Sequence, residues 1–294
     1  MSRREHEAAP DLDEVTAWGA DPYDDLAELY FHGGTTALPS IFDLSGRVAV
    51  VTGAGGGLGA VFATVLAEAG AAVVCADMDA VAAKRLAEFL RSRGMIATDV
   101  GLDVTDEPAV EAAFAAVSRD LGRLDVLVNN AGIGDPRSVP LHRVRTEDWR
   151  RVLDVDLDGV FLCSRAALRT MVDKGSGKIV NVASMFGLTG ARVSPIPAYS
   201  AAKGAVVNLT RELGLQYAAK GIQVNALCPG FVRTGLSGGV YEDRDFLARV
   251  SATVPMGRIA EPAELRGALL MLASSASDYM TGQTLVVDGG CTAG

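Results

Sequence analysis

From Gly46 onward, short apolar runs alternate with amphipathic stretches, and this alternation dictates most of the architecture that can be read from the chain. Runs at Arg47–Thr52, Ala72–Ala76, Thr98–Leu102, Val126–Val128, Lys178–Val182, Gln223–Ala226 and Leu285–Val287 predict seven strands. Their apolar character is nearly continuous rather than alternating, as expected of strands covered on both faces. Between the first two, Leu58, Val61, Phe62, Val65, Leu66 and Ala69 recur at the helical period. Further helical patterns cover about Val81–Arg93, Glu107–Asp120, Glu147–Met171, Pro197–Ala219 and Pro262–Ala273. Strand–helix alternation of this kind predicts an α/β, doubly wound parallel sheet with helices on both faces, in a single domain.

Charge separates a head from this body. Residues 1–44 hold ten acids against Arg3 and Arg4, whereas the whole chain of 294 residues carries a net charge of −9. The expected division is therefore an acidic N-terminal extension, 1–44, and a main domain, 45–294. Within the head, Asp21-Pro22 is a helix start. Tyr23, Leu26, Ala27 and Tyr30 share one side and Gly33-Gly34 supplies a stop, so a short docked helix and a disordered tail both stand.

An apolar content of 49% and a mean hydropathy of +0.23 fit a globular protein. No run approaches the ~18 apolar residues that span a bilayer, and no apolar stretch follows Arg3-Arg4, so a cytoplasmic protein without membrane contact is expected. Neither part has the basic surface of a nucleic-acid binder. Cys75, Cys163, Cys228 and Cys291 are scattered and only three histidines are present, which argues against disulfides and against a metal site.

The candidate chemistry is concentrated in three places. First, Thr52-Gly53-Ala-Gly55-Gly56-Gly57-Leu58-Gly59 joins a strand to a helix, where backbone can approach a pyrophosphate and the helix N-terminus offers free amides. No Gly-Lys-Ser/Thr follows, so a phosphate-loop NTPase is disfavoured. Second, Asp77 ends the second strand about 20 residues on, where a carboxylate accepts from a ribose diol and repels a 2′-phosphate. Gly56 and Met78, the nearby places for a phosphate-binding cation, are uncharged, so NAD is expected over NADP. Asp103, ending the third strand before Val104, would either receive the adenine amino group or cap the next helix. Third, Tyr199 and Lys203 are four apart and share one face of a helix. An adjacent ammonium favours the phenolate, so Lys203 is expected to lower the Tyr199 pKa and make the phenol a usable acid and base.

The ordered set Thr52-Gly-x-x-x-Gly-x-Gly59, Asp103-Val104, Asn129-Asn130-Ala131-Gly132, Ser184, Tyr199-x-x-x-Lys203, Pro229-Gly230 and Val287-Asp-Gly-Gly290 resembles the short-chain dehydrogenase/reductase family from about Leu44 to Gly290. That resemblance implies a Rossmann-like fold and a hydride transfer between NAD(H) and a secondary alcohol or ketone. It makes Tyr199 the general acid/base, Lys203 its partner and a ligand of the nicotinamide ribose, and Ser184 the holder of the substrate oxygen. Asn130, Ala131 and Gly132 would border the cofactor, with Asn129 ending the same strand. Pro229, Gly230, Val232 and Thr234 would shape the nicotinamide side. Many members place asparagine where this chain has Asp156, in a water-holding position behind the lysine. Attraction to Lys203 is expected to lower the Asp156 pKa, and the proton relay to survive with altered pH dependence. Relatives of this length usually form tetramers, so a homotetramer is expected.

For the substrate, Met185, Phe186, Leu188, Val193, Ile196, Phe231, Val232, Leu236 and Tyr241 predict an apolar mouth for a ring or medium chain. Arg137, Arg192 and Arg233 are candidates for binding a carboxylate or phosphate. Gly235, Gly238 and Gly239 suggest a mobile lid. Alternative readings are a 3-oxoacyl thioester or sugar/polyol reductase of the same fold, an NAD-assisted epimerase or dehydratase, and a non-catalytic NAD-binding regulatory protein.

Overall fold

A computed structural model describes residues 38–234 and 240–294. The expected head helix at Asp21–Gly34 lies outside these residues, as does the proposed lid at 235–239. The chain divides into two compact units, Met1–Ile41 and Phe42–Gly294, and the second carries every element described below.

Seven strands form one parallel sheet: β1 Val48–Thr52, β2 Ala72–Asp77, β3 Ala97–Gly101, β4 Val126–Asn129, β5 Gly177–Val182, β6 Ile222–Pro229 and β7 Thr284–Val287. Their order is β3-β2-β1-β4-β5-β6-β7, with every pairing parallel. The order reverses between β1 and β4, the switch point at which ligands bind in open α/β sheets. The helices are α1 Gly57–Glu68, α2 Ala80–Ser92, α3 Glu107–Leu121, α4 Thr146–Leu153, α5 Gly159–Lys174, α6 Pro197–Tyr217, α7 Arg244–Ser251 and α8 Arg266–Ala273.

Successive strand residues feed opposite cores, which explains the uninterrupted apolar runs. Ala49, Val51, Val73 and Cys75 pack with Phe62 and Leu66 of α1 and with Leu265 and Leu269 on one face. Val48, Val50 and Val74 pack with Phe114 of α3 and Met171 of α5 on the other. Full burial of a side chain such as Phe62 or Leu66 contributes roughly 1.5–3 kcal/mol. At the opposite end of the sheet from the glycine turn, Asp125 is buried yet accepts the Val48 amide at 2.8 Å and the Arg123 guanidinium at 2.7 and 2.9 Å. Burial alone would raise this carboxyl, but Arg123 and Lys174 hold it well below the usual carboxylate range.

Two expected helices are not regular. Pro262–Ala273 opens with a 3-10 turn over Pro262–Leu265 before α8. The pattern over Glu147–Met171 resolves into α4, a π-helical turn at Asp154–Asp158, and α5. The wider turn breaks the 3.6-residue register in mid-helix, and Asp156 is the buried residue within it. π-turns of this sort occur often at functional sites.

Candidate active site

A cleft of about 850 Å³ opens above the C-terminal ends of the strands. Its floor at one end is the glycine turn. Gly53 and Gly57 have φ of +65° and +55°, a region that favours glycine. The N-cap of α1 is Gly56, which has no side chain to cap the helix, and among the described residues its first-turn amides are left to an anion. Asn130 braces the turn from β4, its Nδ2 donating to the carbonyls of Thr52 and Gly53 at 3.0 and 3.1 Å. Thr52 Oγ1 accepts in return from the amides of Asn130 and Ala131, at 3.0 and 3.1 Å.

Of the expected dinucleotide residues, Gly53, Gly56, Gly57, Leu58, Asp77, Met78, Asp103, Val104, Asn130, Ala131, Gly132, Pro229, Gly230, Val232 and Thr234 line the cleft. Gly55 and Gly59 do not, and their part is to shape the turn. The Gly55 amide donates to Asp77 Oδ2 at 2.8 Å, and a Cβ on Gly59 would fall 1.9 Å from the Gly53 carbonyl oxygen. Asp77 Oδ1 accepts from Asp79 N at 2.8 Å, so its carboxylate is fixed at the end of β2 where a ribose would pass. Asp103 is not a helix cap: it accepts from the Thr105 amide and hydroxyl, while Asp106 caps α3. Asn129 lies beneath the cleft and ties the sheet to α5 and β5, donating to Ser164 Oγ and Asn181 Oδ1, both at 2.8 Å. These donors and cradles fit a pyridine dinucleotide.

At the other end, Ser184, Tyr199 and Lys203 converge on the cleft wall. Lys203 is 3% exposed; its Nζ lies 5.5 Å from the Tyr199 ring centroid, donates to the Val182 carbonyl at 3.1 Å and pairs with Asp156 Oδ2 at 3.1 Å. Asp156 is fully buried behind Lys203 rather than on the cleft wall, and its Oδ1 accepts the Ile133 amide at 2.7 Å.

Two electrostatic expectations are overturned here. Burial pushes the Tyr199 phenol above its ordinary value, and this outweighs the opposing pull of Lys203. Burial likewise raises the Asp156 carboxyl despite its ammonium neighbour. Lys203, which burial alone would lower, is raised instead by Asp156 and Tyr199. Sequence spacing gave the sign of the pair interaction, but desolvation is larger and depends on what surrounds the pair.

Phe186, Val193, Ile196, Phe231 and Tyr241 line the mouth, joined by Phe246 from α7. Met185 is instead buried, and Leu188 is exposed and not part of the cleft lining; Leu236 lies outside the described residues. The three candidate arginines do not line the cleft: Arg137 pairs with Asp148 and Arg233 with Glu261, while Arg192 is exposed. Sequence reading missed Ile133, Asp135, Ser138, Ser194 and Phe246. For Asp135 the only local signal is an Asp-Pro turn, which does not reveal that the carboxylate crosses to α6.

Residues 53–292 match the family model described as enoyl-(acyl carrier protein) reductase. The chain is 49% identical over 247 residues to a cis-4-hydroxycyclohexanecarboxylate dehydrogenase of Sinomonas cyclohexanicum, covering 84% of this chain and 97% of that protein. It is 38% identical to gluconate 5-dehydrogenase of Gluconobacter oxydans (strain 621H), covering 86% and 98% respectively. A solved gluconate 5-dehydrogenase from Burkholderia cenocepacia J2315, in complex with NADP and tartrate, superimposes with a TM-score of 0.83 at 40% identity, covering 87% of this chain and 99% of that one.

Proposed function

The chain belongs to the short-chain dehydrogenase/reductase family, and on that premise we propose that it is an NAD-dependent enzyme interconverting an alicyclic or medium-chain secondary alcohol and its ketone, with Tyr199 as general acid/base. The observation that carries the reading is the convergence of Ser184, Tyr199 and Lys203 at one end of a cleft whose other end is a glycine-rich helix start with Gly56 at its N-cap. The coenzyme supplies or accepts the hydride. Gly53, Gly57, Asp77, Gly132, Lys203 and Thr234 would hold it. Ser184 orients the substrate oxygen, and Tyr199 gives that oxygen a proton in reduction or removes one in oxidation. The Asp77 carboxylate disfavours a 2′-phosphate, which supports NAD. NADP in the Burkholderia cenocepacia relative makes the opposite preference the alternative to test. The apolar walls around Phe186, Phe231 and Phe246 and the Sinomonas relative together support a ring substrate. Exposed Phe161 on α5 and Leu215 on α6 support assembly as a homotetramer, which a monomer mass in light scattering would reject.

A panel of alicyclic, polyol, sugar-acid and straight-chain alcohols, followed at the NADH absorbance band with NAD and NADP in parallel, tests the reading. Alicyclic alcohols are expected to give the highest kcat/KM, with NAD favoured about tenfold or more. Turnover of sugar acids alone, or equal use of NADP, rejects the corresponding part.

The charge behind Lys203 has a consequence of definite sign. Asp156 offsets the ammonium that would stabilise a Tyr199 phenolate, so removing the carboxylate should lower the Tyr199 pKa. In Asp156→Asn the alkaline rise of alcohol oxidation is expected to move to lower pH, and the alkaline fall of ketone reduction to move with it. At a fixed pH on that limb, each unit of displacement raises the phenolate population about tenfold. Superimposable kcat/KM–pH profiles would show the carboxylate to be inert.

A further inference from the structure

We infer that Asp135 is a positioning residue for the proton-transferring tyrosine, because its carboxylate reaches across from the loop after β4 to cap the helix that bears Tyr199 and Lys203. The inference rests on the reading of Tyr199 given above. Helix α6 starts at Pro197 behind Ile196, and no side chain at that N-cap accepts a hydrogen bond. The first amides of such a helix need an acceptor from elsewhere. Asp135 supplies it: Oδ1 accepts the Ala198 amide at 3.3 Å and Oδ2 the Tyr199 amide at 2.9 Å. A carboxylate there also meets the positive end of the helix dipole.

The second bond ends on the backbone amide of Tyr199 itself, so the carboxylate fixes the stretch of main chain from which the phenol projects. A further tie lies beside it. Ser138 Oγ is 2.5 Å from Ser194 Oγ and donates to the Pro195 carbonyl at 2.8 Å. The same loop sends the Ile133 amide to Asp156, and its residues 132–135 line the cleft. One short segment therefore touches the coenzyme cleft, the carboxylate behind Lys203, and the first turn of the catalytic helix. A proton transfer needs its partners in a near-attack geometry, and misplacement by about 1 Å can cost ~10²-fold. A carboxylate in a cleft can instead bind substrate directly, but here both oxygens already face backbone amides.

Asp135→Ala, Asp135→Asn and Ser138→Ala separate these roles. Steady-state kinetics is combined with NMR of ¹³Cζ-labelled tyrosine in the NADH complex, the Tyr199 resonance being assigned by its loss in Tyr199→Phe. In Asp135→Ala, kcat at saturating substrate is expected to fall about 10–100-fold, NADH affinity to stay within about twofold, and the Tyr199 resonance to shift or broaden. Asp135→Asn retains an oxygen acceptor and should recover most of kcat, while Ser138→Ala should show a smaller loss of the same kind. Lower thermal stability with unchanged kcat and an unchanged Tyr199 resonance would overturn the inference. So would a raised substrate KM at constant kcat, which marks a substrate ligand. If Asp135→Ala does not fold, the resonance in the other two variants decides. A wild-type enzyme that oxidises none of the alcohols defeats the catalytic reading alone, since the resonance still reports whether the loop holds Tyr199.

Discussion

Replacing Tyr199 by phenylalanine is expected to lower turnover at least ~10²-fold while leaving coenzyme affinity within about twofold of wild type. The substitution removes one hydroxyl and keeps the ring against which Lys203 lies. Lys203 retains its bonds to the Val182 carbonyl and Asp156, so the cofactor side of the wall stays in place. A ~10²-fold loss corresponds to about 2.7 kcal/mol in the transition state, beyond the ~1 kcal/mol typical of one neutral hydrogen bond. NADH fluorescence titration and single-turnover rates measure the two quantities separately. Retention of turnover within about fivefold would remove Tyr199 from the proton-transfer step. Parallel loss of affinity and rate would make it a binding residue. The raised phenol sharpens the expectation, since wild-type alcohol oxidation should climb with pH through the alkaline range while the phenylalanine variant stays flat.

A single methyl group at Gly59 is expected to be nearly as damaging, for a different reason. Its carbon would lie 1.9 Å from the Gly53 carbonyl oxygen, 2.6 Å from Asn130 Nδ2 and 2.7 Å from the Gly53 carbonyl carbon. Those atoms cannot swing aside: Gly53 is held in a left-handed conformation, and its carbonyl already accepts from Asn130. Gly59→Ala should therefore push the glycine turn off the start of α1 and weaken NADH binding by ~10²-fold or more. Overpacking of this kind costs roughly 1–3 kcal/mol, which for a domain of this size lowers Tm by about 2–4 °C per kcal/mol. Gly56→Ala is the internal control. Its φ of −172° is ordinary extended backbone, and a Cβ there meets nothing within 4 Å. That variant should keep the wild-type Tm, and any effect should appear only against bound coenzyme. Equal behaviour of the two variants, by calorimetry and by titration, would show that the close approach at Gly59 does not govern the turn.

How much of this protein is legible from residues alone follows from the range of the forces involved. Strand and helix positions were written locally. The apolar runs predict the first strand at Arg47–Thr52 and the last at Leu285–Val287, and the structure has them at Val48–Thr52 and Thr284–Val287. Apolar periodicity, glycine turns and the four-residue spacing of Tyr199 and Lys203 act over a few residues, so they survive without knowledge of neighbours. The glycine turn, the acid that ends β2 and the tyrosine–lysine pair are therefore legible in the chain itself. The wider turn around Asp156 did not, because a π-turn depends on how α4 and α5 pack rather than on their own periodicity. The signs of the Tyr199 and Asp156 shifts also escaped, since burial is contributed by distant elements and exceeds the one pair interaction the spacing reveals. Asp135 was invisible for the same reason. Its partner amide is 64 residues away, and only the folded sheet, bringing the ends of β4 and β5 side by side, sets that carboxylate over the start of the tyrosine's helix.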